Sequence, residues 1–149
     1  MRAFLTCLFC LIATFTFAQF QPVKWSFAAE KISDVEYNIV ITADIQNGWS
    51  VYSQFLDSDM GPIPTSFEFF SDDAVQLVGK TLENGYRKES YDDLFNMNLV
   101  KFSKKAKFTQ RVKLKDKAQS VKGQLTYMTC DESSCLPPAN LDFDIALKH

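Results

Sequence analysis

Residues 35–44 read VEYNIVITAD. Apolar side chains occupy every second position from Val35 to Ala43, and the positions between them are mostly polar. A period of two is typical of a β-strand with one face buried and the other in water. The Asn47-Gly48 pair then predicts a turn, after which residues 49–52 resume extended structure. This segment therefore predicts a strand that turns back into a second strand.

The rest of the chain continues in the same way. About seven or eight short strands separated by turns, with no amphipathic helix, predict an all-β fold built as an antiparallel β-sandwich. Two segments interrupt the alternation: a Gly/Pro-rich loop at 57–64, and residues 82–97, for which we expect a long excursion over one end of the sandwich. The other extended runs lie at residues 66–70, 75–78, 108–115, 124–128 and 141–147.

The first 18 residues have the composition of a secretory signal peptide. Arg2 supplies a positive charge, residues 3–17 carry no charge, and Ala18 ends a motif of small residues suited to cleavage. We therefore predict a signal peptide at 1–18 and one mature domain at 19–149. The alternative is an uncleaved N-terminal anchor.

Cleavage changes both the cysteine count and the charge. Cys7 and Cys10 leave with the signal peptide, so the mature chain keeps Cys130 and Cys135 in an oxidising compartment. With 15 basic and 18 acidic residues its formal net charge is -3, which argues against a nucleic-acid partner. The one histidine, His149, argues against histidine-dependent catalysis. We expect a soluble exported protein that needs no cofactor.

A lysine-rich run at residues 101–117 invites a nucleic-acid or membrane interpretation. On a strand, however, Arg111 and Lys113 share one face, while Val112 and Leu114 share the other. We therefore interpret the run as the solvated face of a sheet, whose lysines also discourage edge-to-edge pairing.

Residues 127–138 read YMTCDESSCLPP and contain the cysteine pair of the mature chain. A strand leads into Cys130, four residues form a loop, and Cys135 leads into a pair of prolines. Cysteines that flank a hairpin loop can form a disulfide without backbone movement. The prolines stiffen the exit and interrupt ladder pairing beside Cys135, which favours access to its sulfur.

Spacing alone leaves three roles open for this pair. A disulfide across a six-residue ring contributes roughly 2 kcal/mol in the chain-entropy estimate, against about 4.7 kcal/mol for a hundred-residue loop. A bond placed where it stabilises so little is consistent with a redox pair, but native hairpins also carry structural disulfides. A metal site is the third alternative, although such a site needs about four ligands.

Two carboxylates inside the ring bear on the chemistry. Asp131 and Glu132 disfavour a neighbouring thiolate, and the ring contains no lysine, arginine or histidine to lower a thiol pKa. Our hypothesis is that the dithiol is unreactive alone and exchanges only when a partner brings an activated thiol.

The sequence resembles the N-terminal periplasmic domain of the thiol:disulfide interchange protein DsbD, also called the disulfide bond corrector family. The matching features are Asn47-Gly48-Trp49-Ser50-Val51-Tyr52 and the cysteine hairpin at 127–138, within a resemblance over about residues 23–147. The resemblance implies a periplasmic, immunoglobulin-like sandwich whose cysteine pair relays electrons. It implies a thioredoxin-like domain of a membrane electron carrier as donor, with periplasmic disulfide isomerases or thioredoxin-like cytochrome c maturation proteins as acceptors.

The resemblance also implies roles for individual residues. Cys135 is the sulfur attacked in the mixed disulfide, and Cys130 is its resolving partner. Phe95, in a cap loop at residues 91–96, shields the pair, and Tyr52 lies beside the cysteines. The alternatives are that Phe95 anchors the loop to the sandwich and that Tyr52 is a core residue.

Two functions from different classes follow. The first is an exported thiol:disulfide relay domain, which must meet its reductant as a separate protein because the chain carries no thioredoxin or membrane domain. The second is an immunoglobulin-like binding or adhesion module whose disulfide is only structural.

Overall fold

The computed structural model describes residues 20–56, 60–70, 74–115 and 118–148. The predicted signal peptide, the start of the Gly/Pro-rich loop and His149 lie outside these ranges. Within them, no helix is long and apolar enough to cross a membrane.

Nine strands run through the described residues and form two antiparallel sheets. The strands are β1 (Val23–Lys31), β2 (Glu36–Ile45), β3 (Ser50–Tyr52), β4 (Ser66–Phe69), β5 (Val75–Asp92), β6 (Met97–Leu114), β7 (Ser120–Tyr127), β8 (Thr129–Cys130) and β9 (Ala139–Ala146). The larger sheet has the order β1-β2-β6-β3-β8, with β5 paired to the other edge of β6, and the smaller has the order β4-β7-β9. The predicted antiparallel sandwich is confirmed.

The core lies between the two sheets, where their alternating apolar faces meet. Tyr37, Ile39 and Ile41 of β2 are buried, as the alternation in residues 35–44 predicts. Aromatic pairs connect the sheets, with ring centroids 5.1 Å apart for Trp25 and Tyr127 and 5.4 Å apart for Phe27 and Phe143. Such pairs add specific geometry to the area that their rings bury.

In the second half of the lysine-rich run, the charged side chains of β6 lie on its solvated face. Val112 and Leu114 are buried, while Arg111 pairs with Glu36 across the sheet at 2.6 Å. Lys113 is exposed. The prediction of a solvated strand face is confirmed here.

The predicted excursion at residues 82–97 is wrong. Residues up to Asp92 continue β5, which pairs with β6 to form a hairpin of two 18-residue strands. Most β5 side chains after Val75 are exposed or half-buried, and bulges follow Val78 and Gly85. An edge strand with little buried area and a shifting register shows no clean period of two, so its sequence did not reveal it.

β1 was also missed, although its signal is present. Val23, Trp25, Phe27 and Ala29 alternate with polar or small residues, and each of the four packs in or against the core. The pattern is the same one that predicts β2.

Candidate functional site

The cysteine pair lies at the rim of the larger sheet, where the chain leaves β8. Ser50 of β3 pairs with Cys130, which places the first cysteine inside the ladder. Cys130 then pairs with Cys135 through an isolated bridge, with their Cα atoms 4.1 Å apart. The two sulfurs form a disulfide with an S–S distance of 2.06 Å. The hairpin disulfide that the spacing allowed is therefore present.

The four-residue loop between the cysteines is ordered by Asp131. Its Oδ1 accepts hydrogen bonds from the backbone N–H groups of Ser133 at 2.8 Å and Ser134 at 2.7 Å. The Asp131 N–H in turn donates to the Ser134 carbonyl at 2.9 Å. These backbone donors hold the pKa of the Asp131 carboxyl below its usual value, because they favour the charged form.

The direction of that shift decides the pH range over which Asp131 supports the loop. A lowered pKa in the folded state means that the carboxylate stabilises the fold above its unfolded-state pKa. The contribution is lost as pH falls through the lower folded-state value. Asp131 therefore remains a negative charge beside the disulfide at neutral pH.

The two cysteines differ in exposure. Cys130 is buried, with 3% of its surface exposed, whereas Cys135 is half-buried. The backbone beyond Cys135 makes one ladder-like bond, from Leu136 N–H to the Thr129 carbonyl at 3.0 Å, before the exposed Pro137 and Pro138. Cys135 is thus the more accessible sulfur.

A small apolar cluster, separate from the main core, surrounds the disulfide. We call it the rim cluster; its buried members are Tyr52, Leu99 and Cys130, and its half-buried members are Leu56, Phe95, Met97, Met128 and Cys135. Phe95 lies in the turn that joins β5 to β6, and its ring meets Tyr52 edge-on with centroids 6.1 Å apart. The four site residues that the sequence analysis named are therefore brought together in this cluster: Tyr52, Phe95, Cys130 and Cys135.

The cap loop is held at its base by a buried carboxylate. Asp92 is 6% exposed, and its Oδ1 accepts the Leu94 N–H at 3.0 Å. Its Oδ2 accepts a hydrogen bond from Lys101 Nζ at 3.1 Å. Sequence reasoning missed both members of this ion pair, because Asp92 lies in an irregular stretch and Lys101 was grouped with the solvated lysines.

Tyr52 differs from the other buried polar side chains near the disulfide. The residue is fully buried, and its hydroxyl has no hydrogen-bond partner in the part of the chain that the structure describes. Burial raises the pKa of the Tyr52 hydroxyl, and the negative charge of Asp92 raises it further. The side chain therefore stays neutral at physiological pH.

No group of three or more Cys, His, Asp or Glu side chains within the described ranges is arranged to hold a metal ion.

The described residues thus form a β-sandwich with a disulfide at its rim, in one apolar cluster with an aromatic side chain from a hairpin turn. The chain belongs to the family described as "Thiol:disulfide interchange protein DsbD, N-terminal", whose model matches residues 17–147. No curated protein matches the sequence.

Solved structures share the fold. The DsbD N-terminal domain of Neisseria meningitidis, in its reduced form, aligns with a TM-score of 0.55 and 19% identity, covering 83% of this chain and 86% of that one. The N-terminal periplasmic domain of ScsB from Proteus mirabilis aligns with a TM-score of 0.61 and 16% identity, covering 87% of this chain and 49% of that one. The predicted immunoglobulin-like class is confirmed by these likenesses.

Proposed function

We propose that this protein is an exported thiol:disulfide relay domain, which accepts electrons from a thioredoxin-like donor and passes them to oxidised periplasmic proteins. The observation that carries the proposal is the Cys130–Cys135 disulfide at the rim of the sandwich, in a chain of the DsbD N-terminal family. The signal peptide at 1–18 and a periplasmic location belong to the same proposal.

The exchange proceeds through one mixed disulfide in each direction. A donor thiolate attacks Cys135 Sγ, and Cys130 leaves as a thiolate that takes up a proton. The donor's second thiol then attacks the intermolecular bond and releases the dithiol form of this protein, which has gained two electrons and two protons. Transfer to an acceptor reverses these steps, with Cys135 attacking and Cys130 resolving. The greater exposure of Cys135 supports this assignment.

The cap loop separates the disulfide from unsuitable reactants. Phe95 and Tyr52 pack in the rim cluster with both cysteines, so a partner reaches Cys135 only when the loop moves aside. The donor on this proposal is the thioredoxin-like domain of a membrane electron carrier. The acceptors are a periplasmic disulfide isomerase or a thioredoxin-like protein of cytochrome c maturation.

The charges near the cysteines support a dithiol that is unreactive in the absence of a partner. The Asp131 carboxylate is anionic at neutral pH, and a negative charge beside a thiol disfavours its ionisation. A pKa well below about 8 for either thiol of the reduced protein would contradict this part of the proposal.

A trapping experiment tests the function. In Cys130→Ala the resolving thiol is gone, so Cys135 should remain joined to its partner as a mixed disulfide when the variant is expressed in the native host. The matched control is Cys135→Ala, which retains only the buried Cys130 and should trap much less. Adducts can be separated on a non-reducing gel and identified by mass spectrometry.

The expected result is a thioredoxin-like protein joined to Cys135. If Cys130→Ala traps no thioredoxin-like protein, and reduction of the wild-type disulfide sharply lowers its melting temperature, the chain is a binding module with a structural disulfide.

A further inference from the structure

The Tyr52 hydroxyl is a buried polar group that the exchange chemistry does not use. Tyr52 is 0% exposed and belongs to the rim cluster with Cys130. Its hydroxyl makes no hydrogen bond within the described ranges. The nearby Asp92 carboxylate does not accept it. Its two oxygens accept hydrogen bonds from Leu94 N–H and from Lys101 Nζ instead.

A hydroxyl in this position destabilises the arrangement that buries it. A buried donor without an acceptor loses its bonds to water and gains none in return. When the cap loop moves away from the rim cluster, water reaches the hydroxyl and the loss is recovered. The unpaired group therefore raises the free energy of the closed loop relative to the open one.

We propose that the Tyr52 hydroxyl sets how readily the cap loop opens, and hence how fast a partner reaches the Cys130–Cys135 disulfide. The inference rests on the proposed function and adds a positioning residue to it. Tyr52 acts through the loop and not on the sulfurs. Its ring holds Phe95 edge-on in the closed state, while its hydroxyl keeps that state from becoming too stable.

The rest of the side chain does not need the hydroxyl. The contact that fixes Tyr52 from the neighbouring loop runs from Thr65 Oγ1 to the Tyr52 backbone carbonyl at 2.6 Å. A phenylalanine at position 52 retains this hydrogen bond and the ring contact with Phe95. Tyr52→Phe therefore removes the unpaired group and little else.

The test is the rate at which a water-soluble phosphine reduces the disulfide in wild-type protein and in Tyr52→Phe. The phosphine and one water give two thiols and a phosphine oxide, so no partner protein is needed. At phosphine concentrations where the rate is linear, it follows the population of the open loop. We expect Tyr52→Phe to react about 5–150-fold more slowly, corresponding to about 1–3 kcal/mol, with a melting temperature equal to or above that of wild type.

The matched control is Tyr37→Phe. Tyr37 is as deeply buried, but it lies in the main core and its hydroxyl donates to the Lys148 carbonyl at 3.0 Å. This variant should lose stability and keep the wild-type rate of reduction. The two substitutions remove the same atom, but only Tyr37→Phe should lower the stability of the fold, and only Tyr52→Phe should slow reduction of the disulfide.

Two outcomes overturn the inference. If Tyr52→Phe is reduced as fast as wild type or faster, whatever its melting temperature, the hydroxyl does not favour opening of the loop. This result would not contradict the relay function. A wild-type disulfide that the phosphine cannot reduce in the folded protein contradicts the relay itself.

Discussion

At the residue scale, the Asp92–Lys101 pair has the opposite effect to the Tyr52 hydroxyl. The Asp92 side chain is 6% exposed and that of Lys101 is 23% exposed. This ion pair is therefore more deeply buried than the one that Lys105, on the same strand as Lys101, forms with Asp44. Asp92 also fixes the turn by accepting the Leu94 N–H. The pair therefore stabilises the closed cap loop.

Removing the lysine should leave a buried carboxylate without its partner. We expect Lys101→Met to lower the free energy of unfolding by about 1–3 kcal/mol and to speed phosphine reduction of the disulfide. Urea denaturation of the oxidised protein measures the first effect. The double variant Asp92→Asn/Lys101→Met should lose less than Lys101→Met alone, because asparagine can still accept the Leu94 N–H without a buried charge.

Lys105→Met provides a control on the same strand. Its ion pair with Asp44 spans 3.3 Å between side chains that are 58% and 56% exposed. An exposed pair contributes only about 0–1 kcal/mol, so this variant should unfold nearly as wild type does. If both lysine variants behave alike, burial of the Asp92 pair has no special importance.

The sequence predicts residue-scale features well when they are local. The disulfide joins residues five positions apart, so the spacing alone allowed a hairpin disulfide, although it also left a metal site open. The Asp92–Lys101 pair and the unpaired Tyr52 hydroxyl depend on contacts between β3, β6 and the cap loop. No local pattern identifies a charge or a hydroxyl that becomes buried in this way.

At the element scale, the β5–β6 hairpin carries the cap loop from the sandwich to the disulfide. Its two strands pair from Val75 with Leu114 to Asp92 with Met97, and a shift in register follows Gly85. Gly85 has a φ of +147°, and a Cβ there would overlap the Lys105 carbonyl oxygen. The bulge thus requires glycine for both its conformation and its close backbone approach.

Gly85→Ala should therefore disturb the hairpin more than Gly79→Ala does. Gly79 has a φ of +71°, but open space surrounds its Cβ position, so alanine there meets only backbone strain of about 1–2 kcal/mol. We expect Gly85→Ala to lower the free energy of unfolding further and to increase amide hydrogen exchange in the cap loop. Equal stability of the two variants would show that the close approach to Lys105 is not important.

The same hairpin shows why element prediction failed at residues 82–97. The sequence indicates β4 and β7 because one face of each packs on the core and makes the side chains alternate. β5 is an edge strand whose side chains are mainly exposed beyond Val75, so it shows no such alternation. Its extended form is imposed by backbone pairing with β6 and not by burial of an apolar face.

At the scale of the whole molecule, the residues that the structure describes form two apolar clusters of unequal size. The main core joins both sheets, and the rim cluster around the disulfide is a small appendage at one end. The disulfide therefore lies outside the packing that holds the sandwich together.

Reduction should accordingly leave the sandwich folded. A six-residue ring contributes roughly 2 kcal/mol in the chain-entropy estimate, which corresponds to a fall of about 7 °C in melting temperature for a domain of this size. Calorimetry with and without reductant measures the fall. Loss of the cooperative transition on reduction would assign the disulfide a structural role.

What the sequence by itself determined is local: the period of two in the strands, the turn at Asn47-Gly48, and two cysteines spaced so that one hairpin can join them. The resemblance implied Phe95 and Tyr52 beside that ring, but only the tertiary structure decided their packing with Leu99, the buried Asp92–Lys101 pair and the unpaired Tyr52 hydroxyl. Tyr52, Phe95 and Leu99 come from β3, the cap loop and β6, and their meeting depends on strand register and on the bulges of an edge strand. Register over such distances is a cooperative property of the folded sheet, and no single stretch of the chain carries it.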